Sequence, residues 1–408
     1  MEYKPLRTIF HMKGEKGLEK EYNKRLNGDV TFLTDININP IKDQSQQLQT
    51  TYPTFFLPTS NLCNKSEKIY MNTIKINSLL KSQPGIATAA YLKKLLLNEL
   101  QSTNDKENIR STKKELADVL NKSNSKTHKR FNGLVDQYLL LLSGEQINLS
   151  EVSDFRKIYD VLVADEISKK DKPDGKLFRN DGVGVEDTSR GKWLHRNEYN
   201  EYEIIDYLNK LLRFINYYEA PKLLKVVSSH YFFEYLHPFY DGNGRIGRYI
   251  LAKYLSEILD LVTALTFSYT VNRNKNKYDK AFEFTSDFLN YGEITFFIDT
   301  ILELIIEGQE SAISQFEEDI RMIKRLEKGL DKLNLKEEDN QALFILLQDK
   351  VFGSEYSRMS LKDLENYVKY GRKKLDKIIK KHSDKLNRIK DRPVVYEISD
   401  DFINELML

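Results

Sequence analysis

The run HPFYDGNGRIGR, His237 to Arg248, constrains this chain more than any other stretch. Two glycines around one asparagine read as a turn between helices, with a His-Pro pair before it and two arginines after it. The residue before a proline is pushed out of the right-handed helical region, so a helix arriving from Pro221 ends at His237. A second helix opening in the glycine turn offers its backbone N–H groups and its positive dipole end to an anion. Arg245 and Arg248, at i and i+3, share one face of that helix and suit the forked grip of phosphate. Asp241 is a hard oxygen ligand of the kind Mg²⁺ takes beside phosphate oxygens. His237 can accept a proton near neutral pH. A base, a metal ligand and an anion cradle in one turn point to phosphoryl transfer on a nucleotide polyphosphate. A plain glycine-rich connector with solvated arginines is the alternative, and so many loaded residues at fixed spacing argue against it.

The run matches every fixed position of HxFx[D/E]GNGRxxR, and on those residues the chain resembles the Fic family. The resemblance implies a helical core whose two central helices are joined by this loop. It also implies transfer of a nucleoside monophosphate, most often AMP from ATP, onto a Ser, Thr or Tyr hydroxyl of a target protein. His237 would be the base and Asp241 the Mg²⁺ ligand. Gly242, Asn243 and Gly244 would form the phosphate nest, and Arg245 and Arg248 would hold the distal phosphates.

Upstream, Ser66–Leu80 and Ala87–Gln101 carry apolar residues at helical steps, separated by Pro84-Gly85. The second helix leads into Thr103, Glu107 and Asn108, with Asn108 placed to end it in the left-handed conformation and Thr112 with Glu115 placed to open the next. Read alone, Glu107 is a surface carboxylate. Beside the loop, Thr103 to Asn108 resembles the [S/T]xxxE[G/N] helix of self-inhibiting Fic proteins, in which the glutamate pairs with the second arginine, here Arg248. An arginine held by a carboxylate cannot also orient a phosphate.

Further along, residues 154–167 read as an amphipathic helix. Val183-Gly184-Val185 and Trp193-Leu194-His195 are short β-prone runs around a turn, so a hairpin is expected. The family likeness makes it a flap that pairs with an extended segment of the target, with Trp193 as its apolar anchor. His230 is expected to be a structural histidine, and Tyr278 falls where relatives place an aromatic residue in the base pocket.

A chain of 408 residues suggests several domains, and a net charge of +2 argues against a nucleic-acid scaffold along its whole length. Its one cysteine, Cys63, cannot form an internal disulfide. The N-terminus lacks a signal-like apolar run and nothing reaches membrane-spanning length, so no membrane partner and a cytoplasmic location are expected. The expected fold is mainly α, with a Fic-type helical core, a small β-hairpin flap and a C-terminal winged-helix-like α+β domain. The expected boundaries are 1–53 as an N-terminal appendage and 54–310 as the Fic domain, with the inhibitory helix around 90–108. Residues 311–335 are expected as a helical linker and 336–408 as the winged-helix-like domain. Its third helix is lysine-rich with Leu375, Ile378 and Ile379 facing inward, which leaves DNA contact through residues 371–392 open beside protein contact. A homodimer is also open. Two other functions use the same residues: a winged-helix transcription regulator with a nucleotide-sensing core, and removal of AMP or phosphotransfer at the same site. Gly244 stands where phosphotransferase relatives have lysine.

Overall fold

The computed structural model describes residues 3–42, 46–121, 130–145, 148–187 and 192–408. The chain starts with α1 (Leu6–Leu26), β1 (Phe32–Ile38), the small ribbon of β2 (Ile41–Lys42) and β3 (Gln46–Gln47), and β4 (Tyr52–Phe56). Helices α2 (Ser60–Lys81), α3 (Gly85–Lys106), α4 (Lys113–Leu120), α5 (Asn132–Ser143) and α6 (Val152–Leu162) follow. The hairpin β5 (Val183–Asp187) and β6 (Lys192–Asn197) leads into α7 (Glu201–Tyr217), α8 (Lys222–Leu236) and α9 (Asn243–Ile258). Next come α10 (Leu261–Ala264), α11 (Phe267–Arg273), α12 (Lys275–Ser286) and α13 (Thr295–Lys332). The last part is α14 (Glu337–Phe352), α15 (Leu361–Glu365), α16 (Arg372–Lys381), the hairpin β7 (Leu386–Asp391) and β8 (Val394–Ile398), and α17 (Asp400–Met407). The fold is mainly α, and the described sheets are four two-stranded antiparallel pairs.

Helices α8 and α9 sit at the centre because their sequences leave them no other place. Every residue of α8 from Val226 to Leu236 is buried, polar ones included. In α9, Ile246, Tyr249, Ile250, Leu251, Ala252 and Leu255 are buried together with Arg245 and Arg248. A helix apolar on all sides must be surrounded by others, and α7, α10, α3 and α13 surround this pair. The loop between α8 and α9 is thus anchored at both ends by buried helices, which is what a rigid anion site requires.

Three expectations change. The first residues are no appendage. β1 pairs with β4, Phe32 opposite Phe56, so the boundary expected at 53 falls inside a strand. Ile36, Ile38 and Phe56 lie in the main core, and Arg25 makes a buried ion pair with Glu293 at 2.9 Å. The 311–335 linker is the second half of one continuous helix, α13, which buries Ala312, Ile313, Phe316, Ile320, Ile323, Leu326 and Leu330. That apolar stripe packs against α2 and, further on, against α14 and α17. Lastly, the helix expected over 154–167 stops at Leu162, which frees residues 163–167 to lie irregularly against the glycine loop. The C-terminal part has the expected three helices and hairpin, with α17 added, and Leu375, Ile378 and Ile379 do face inward. No helix among the described residues is long and apolar enough to cross a membrane.

Candidate active site

His237 caps the C-terminal end of α8 in the left-handed conformation, φ 48°. Its N–H bonds to the Phe233 carbonyl, and its Nδ1 lies in hydrogen-bond contact with the Glu234 carbonyl. A carbonyl only accepts, so Nδ1 carries the proton and Nε2 keeps the basic lone pair. From the other side Arg179 donates its Nε to the His237 carbonyl at 2.6 Å and an Nη2 to the Leu236 carbonyl at 3.0 Å. Arg179 thus braces the end of the helix that carries His237. Burial lowers the His237 pKa below its usual 6.5, with Arg179 adding to this and the Glu234 carbonyl and the Glu107 charge opposing it.

The loop closes on itself through Asn243. Its Oδ1 accepts from the Phe239 N–H at 3.0 Å and its Nδ2 donates to the Phe239 carbonyl at 2.7 Å. The Asn243 side chain is therefore committed to the loop, which leaves its backbone N–H for the expected phosphate nest. Gly242 has φ 90°, and a Cβ there would lie 2.9 Å from Val163 Cγ2, so glycine is required twice over. Asp241 is exposed beside it, with Oδ1 taking the Gly242 N–H at 2.6 Å.

Arg248 is 1% exposed and fully engaged by one helix end. Its Nε donates to Thr103 Oγ1 and its Nη2 to the Thr103 carbonyl, both at 3.0 Å, while Nη1 pairs with Glu107 Oε1 at 2.8 Å. Thr103 and Glu107, one turn apart on α3, therefore read a single guanidinium together. Asn108 follows at φ 57° and ends α3: its N–H bonds to the Asp105 carbonyl, and that of Ile109 to the Asn104 carbonyl at 2.9 Å. A Cβ on Gly244 would overlap the Glu107 carboxylate, so that carboxylate lies directly over the first turn of α9. Burial raises the Glu107 pKa, but Arg248, with Lys106, outweighs it and holds the carboxyl below its usual range.

Arg245, also 1% exposed, pairs through Nη1 with Glu166 Oε2 at 2.9 Å, and its Nε is buried without a partner. Sequence reasoning missed Glu166. It stands 79 residues away from Arg245 in a stretch expected to be helical, and no motif marks it.

Residues 149–255, which hold both arginines, the loop and Glu166, match the family model described as the Fic/DOC family. The chain carries a Fic/DOC family domain. A solved structure of a Fic family protein from Desulfovibrio desulfuricans G20 superposes with a TM-score of 0.51 at 16% identity, over 84% of this chain and 97% of that one. At that identity the likeness concerns the fold. A Fic domain-containing signaling protein from Bacteroides thetaiotaomicron VPI-5482 superposes with a TM-score of 0.39 at 16% identity, over 60% of this chain and 97% of that one. No curated protein matches the sequence. Fic domain proteins generally transfer AMP or other nucleotidyl groups to proteins.

Other expected residues of this Fic domain are placed as follows. The hairpin forms with Val183 opposite Asn197 and Gly184 opposite Arg196, and Gly184 is exposed. The side chains of Val185 and Trp193, and the turn at 188–191, lie outside the described residues. Tyr278 is 4% exposed, and its hydroxyl is 2.7 Å from His230 Nε2. It is a buried partner of His230, and Lys106 lies over its ring. Burial lowers the His230 pKa to about 3, which keeps that imidazole neutral. Glu234 is buried between His237 and α9. Burial, offset in part by Arg248, raises its pKa to about 8. Glu99, one turn before Thr103, is buried and raised to about 7, accepting from the Ser268 N–H and from Tyr138.

Proposed function

We propose that this chain is a protein adenylyltransferase held in check by its own Glu107. The observation that carries this is the 2.8 Å pair between Glu107 and Arg248 directly over the loop that begins α9. A carboxylate there takes both the charge and the space that a terminal phosphate of ATP would need. The supporting chemistry is complete around it. His237 Nε2 is the basic nitrogen, the first turn of α9 opens in the glycine loop, and Arg245 and Arg248 are buried and held by ion pairs.

With Glu107 withdrawn, a hydroxyl laid along β5 by strand addition gives its proton to His237 Nε2. Its oxygen attacks the α-phosphorus, the bond to the bridging oxygen breaks and pyrophosphate leaves. The loop amides and the start of α9 hold the phosphate charge without having to reorganise. Asp241 fits a Mg²⁺ ion, since it is an exposed hard carboxylate at the rim of the cradle and Mg²⁺ draws its other ligands from phosphate and water. When bound, the ion would neutralise charge on the phosphates.

The test is incubation with α-labelled ATP and Mg²⁺ in cell lysate. Glu107→Gly should label itself or a lysate protein at least about tenfold faster than wild type, the loss of a typical charge-assisted contact. His237→Ala should transfer nothing. The reading fails if Glu107→Gly transfers no label.

A further inference from the structure

The C-terminal unit carries almost balanced charge, fifteen lysines and arginines against fourteen acids over residues 336–408. The balance is not local. Residues 369–392, which hold α16 and the β7 side of the hairpin, have eleven of the basic residues and three of the acids.

The structure sorts most of these basic side chains into two sets, and Lys385 pairs with its neighbour Asp384 at 3.1 Å. Lys374 pairs with Glu338, and Lys381 with Asp339, both acids at the start of α14. Arg372 pairs with Asp376 at 2.9 Å on its own helix. On the hairpin Lys390 reaches Asp118 of α4 at 3.2 Å, and Arg388 pairs with Asp391 at 2.9 Å. Lys373, Lys377 and Lys380 form the other set. They are exposed and have no ion pair among the described residues. Their spacing, i, i+4 and i+7, puts them in one stripe along α16. Leu375, Ile378 and Ile379 are the buried face of the same helix, and the lysine stripe is on the opposite side. Arg392, exposed at the tip of the hairpin, likewise has no ion pair among the described residues.

We infer that the outer face of α16, with the tip of the β7–β8 hairpin, binds duplex nucleic acid through its phosphates. Like charges in a row repel, and Asp376, the single acid of α16, is held by Arg372, so the three lysines stay without an ion pair among the described residues. A rod about 10–12 Å across with a cationic ridge fits the major groove, and a basic hairpin beside it can reach the flanking backbone. The geometry offers lysine point charges and no fork aimed at a base edge, so the binding is to the backbone with little sequence preference. This inference is independent of the transfer reaction proposed above.

The experiment uses the full chain carrying His237→Ala and a fluorescent 25-bp duplex of arbitrary sequence, with affinity measured by anisotropy from 50 to 300 mM salt. Binding should weaken steeply with salt. The triple variant Lys373→Ala, Lys377→Ala, Lys380→Ala should keep its melting temperature, bind at least about tenfold more weakly and show a log–log salt slope smaller by roughly 3. The inference is overturned by no binding at 50 mM salt, or by a triple variant with unchanged affinity and slope. It is also overturned if poly-glutamate at equal charge displaces the duplex, or if phosphatidylserine vesicles bind more tightly than the duplex. Because only binding is read on an inactive base variant, its failure leaves the labelling result standing, and the reverse holds too.

Discussion

Arg248 is where the candidate site is decided, because three of its donors are already taken by two residues of one helix turn. The pair survives acidification further than an ordinary carboxylate would. A depressed pKa means the contact is present above the usual carboxylate range and is lost only when pH falls through the lower folded value. His237 shows the same displacement with a different consequence. Burial disfavours the His237 imidazolium, so the neutral, proton-accepting form persists below the ordinary 6.5. The Glu107 charge is one of the influences that raises the His237 pKa, so removing it lowers that value further. Label transfer by Glu107→Gly, followed as kcat/KM against pH, should therefore hold its plateau down through pH 6.5 and fall only below it. A midpoint at or above 6.5 would contradict this account of the base. The same two residues also show what a sequence can reveal. Glu107 and Arg248 each sit inside a short local pattern, and the two patterns together define the contact. Glu166 and Arg245 are the same kind of pair, but Glu166 lies in no pattern and follows a helix that ends earlier than its periodicity suggests.

At the scale of the element, the end of α3 matters more than its length. Glu107 reaches Arg248 because the helix stops at it, and it stops because Asn108 takes a left-handed conformation that lets Ile109 bond back to Asn104. Asparagine and glycine tolerate that conformation, whereas a β-branched residue pays about 1–2 kcal/mol to adopt it. Asn108→Gly should then keep both the stability and the low basal labelling of wild type. Asn108→Val should lose about 1–2 kcal/mol in urea unfolding and raise basal labelling, since Glu107 is no longer presented to Arg248. Equal basal labelling in the two variants would show that the helix end does not set the inhibitory contact. Elements built from neighbouring residues, such as this cap and the hairpin at 183–197, were legible for that reason. The β1–β4 pair was not, because β4 does not alternate and its partner strand lies across the polar stretch of sequence between them. In α13 the signal was present: Phe316, Ile320, Ile323, Leu326 and Leu330 recur at helical steps beneath a heavily charged exterior. Charge density hid a stripe that periodicity alone would have found.

For the whole molecule, the expected division into four parts would make residues 336–408 an independent unit on a charged stalk, but α13 argues for a single cooperative structure. The helix buries Ile301, Leu302 and Ile305 on one side of residue 310 and Phe316, Ile320 and Ile323 on the other. One continuous set of buried side chains runs from Ile36 to Leu406. Helix α14 packs on α3, the helix that presents Glu107, and Lys390 of the hairpin reaches Asp118 of α4 just beyond it. A close approach of Gly329 to the Leu406 carbonyl fixes α17 against the far end of α13, and any larger residue at 329 would collide with that backbone. Contacts of this kind cannot be given up in one half while the other stays folded. Differential scanning calorimetry of the full chain should therefore give one transition whose calorimetric and van't Hoff enthalpies agree. A chain ending at residue 310 should be insoluble or unfolded, because it strips the cover from α2 and α3. Two resolved transitions, or a soluble and cooperatively folded 1–310 fragment, would restore the stalk and make residues 336–408 a separate domain. In the single-transition case the C-terminal unit is part of the wall behind Glu107. Deleting it should then change the basal labelling of whatever soluble protein remains, an effect that a tethered, independent domain would not have.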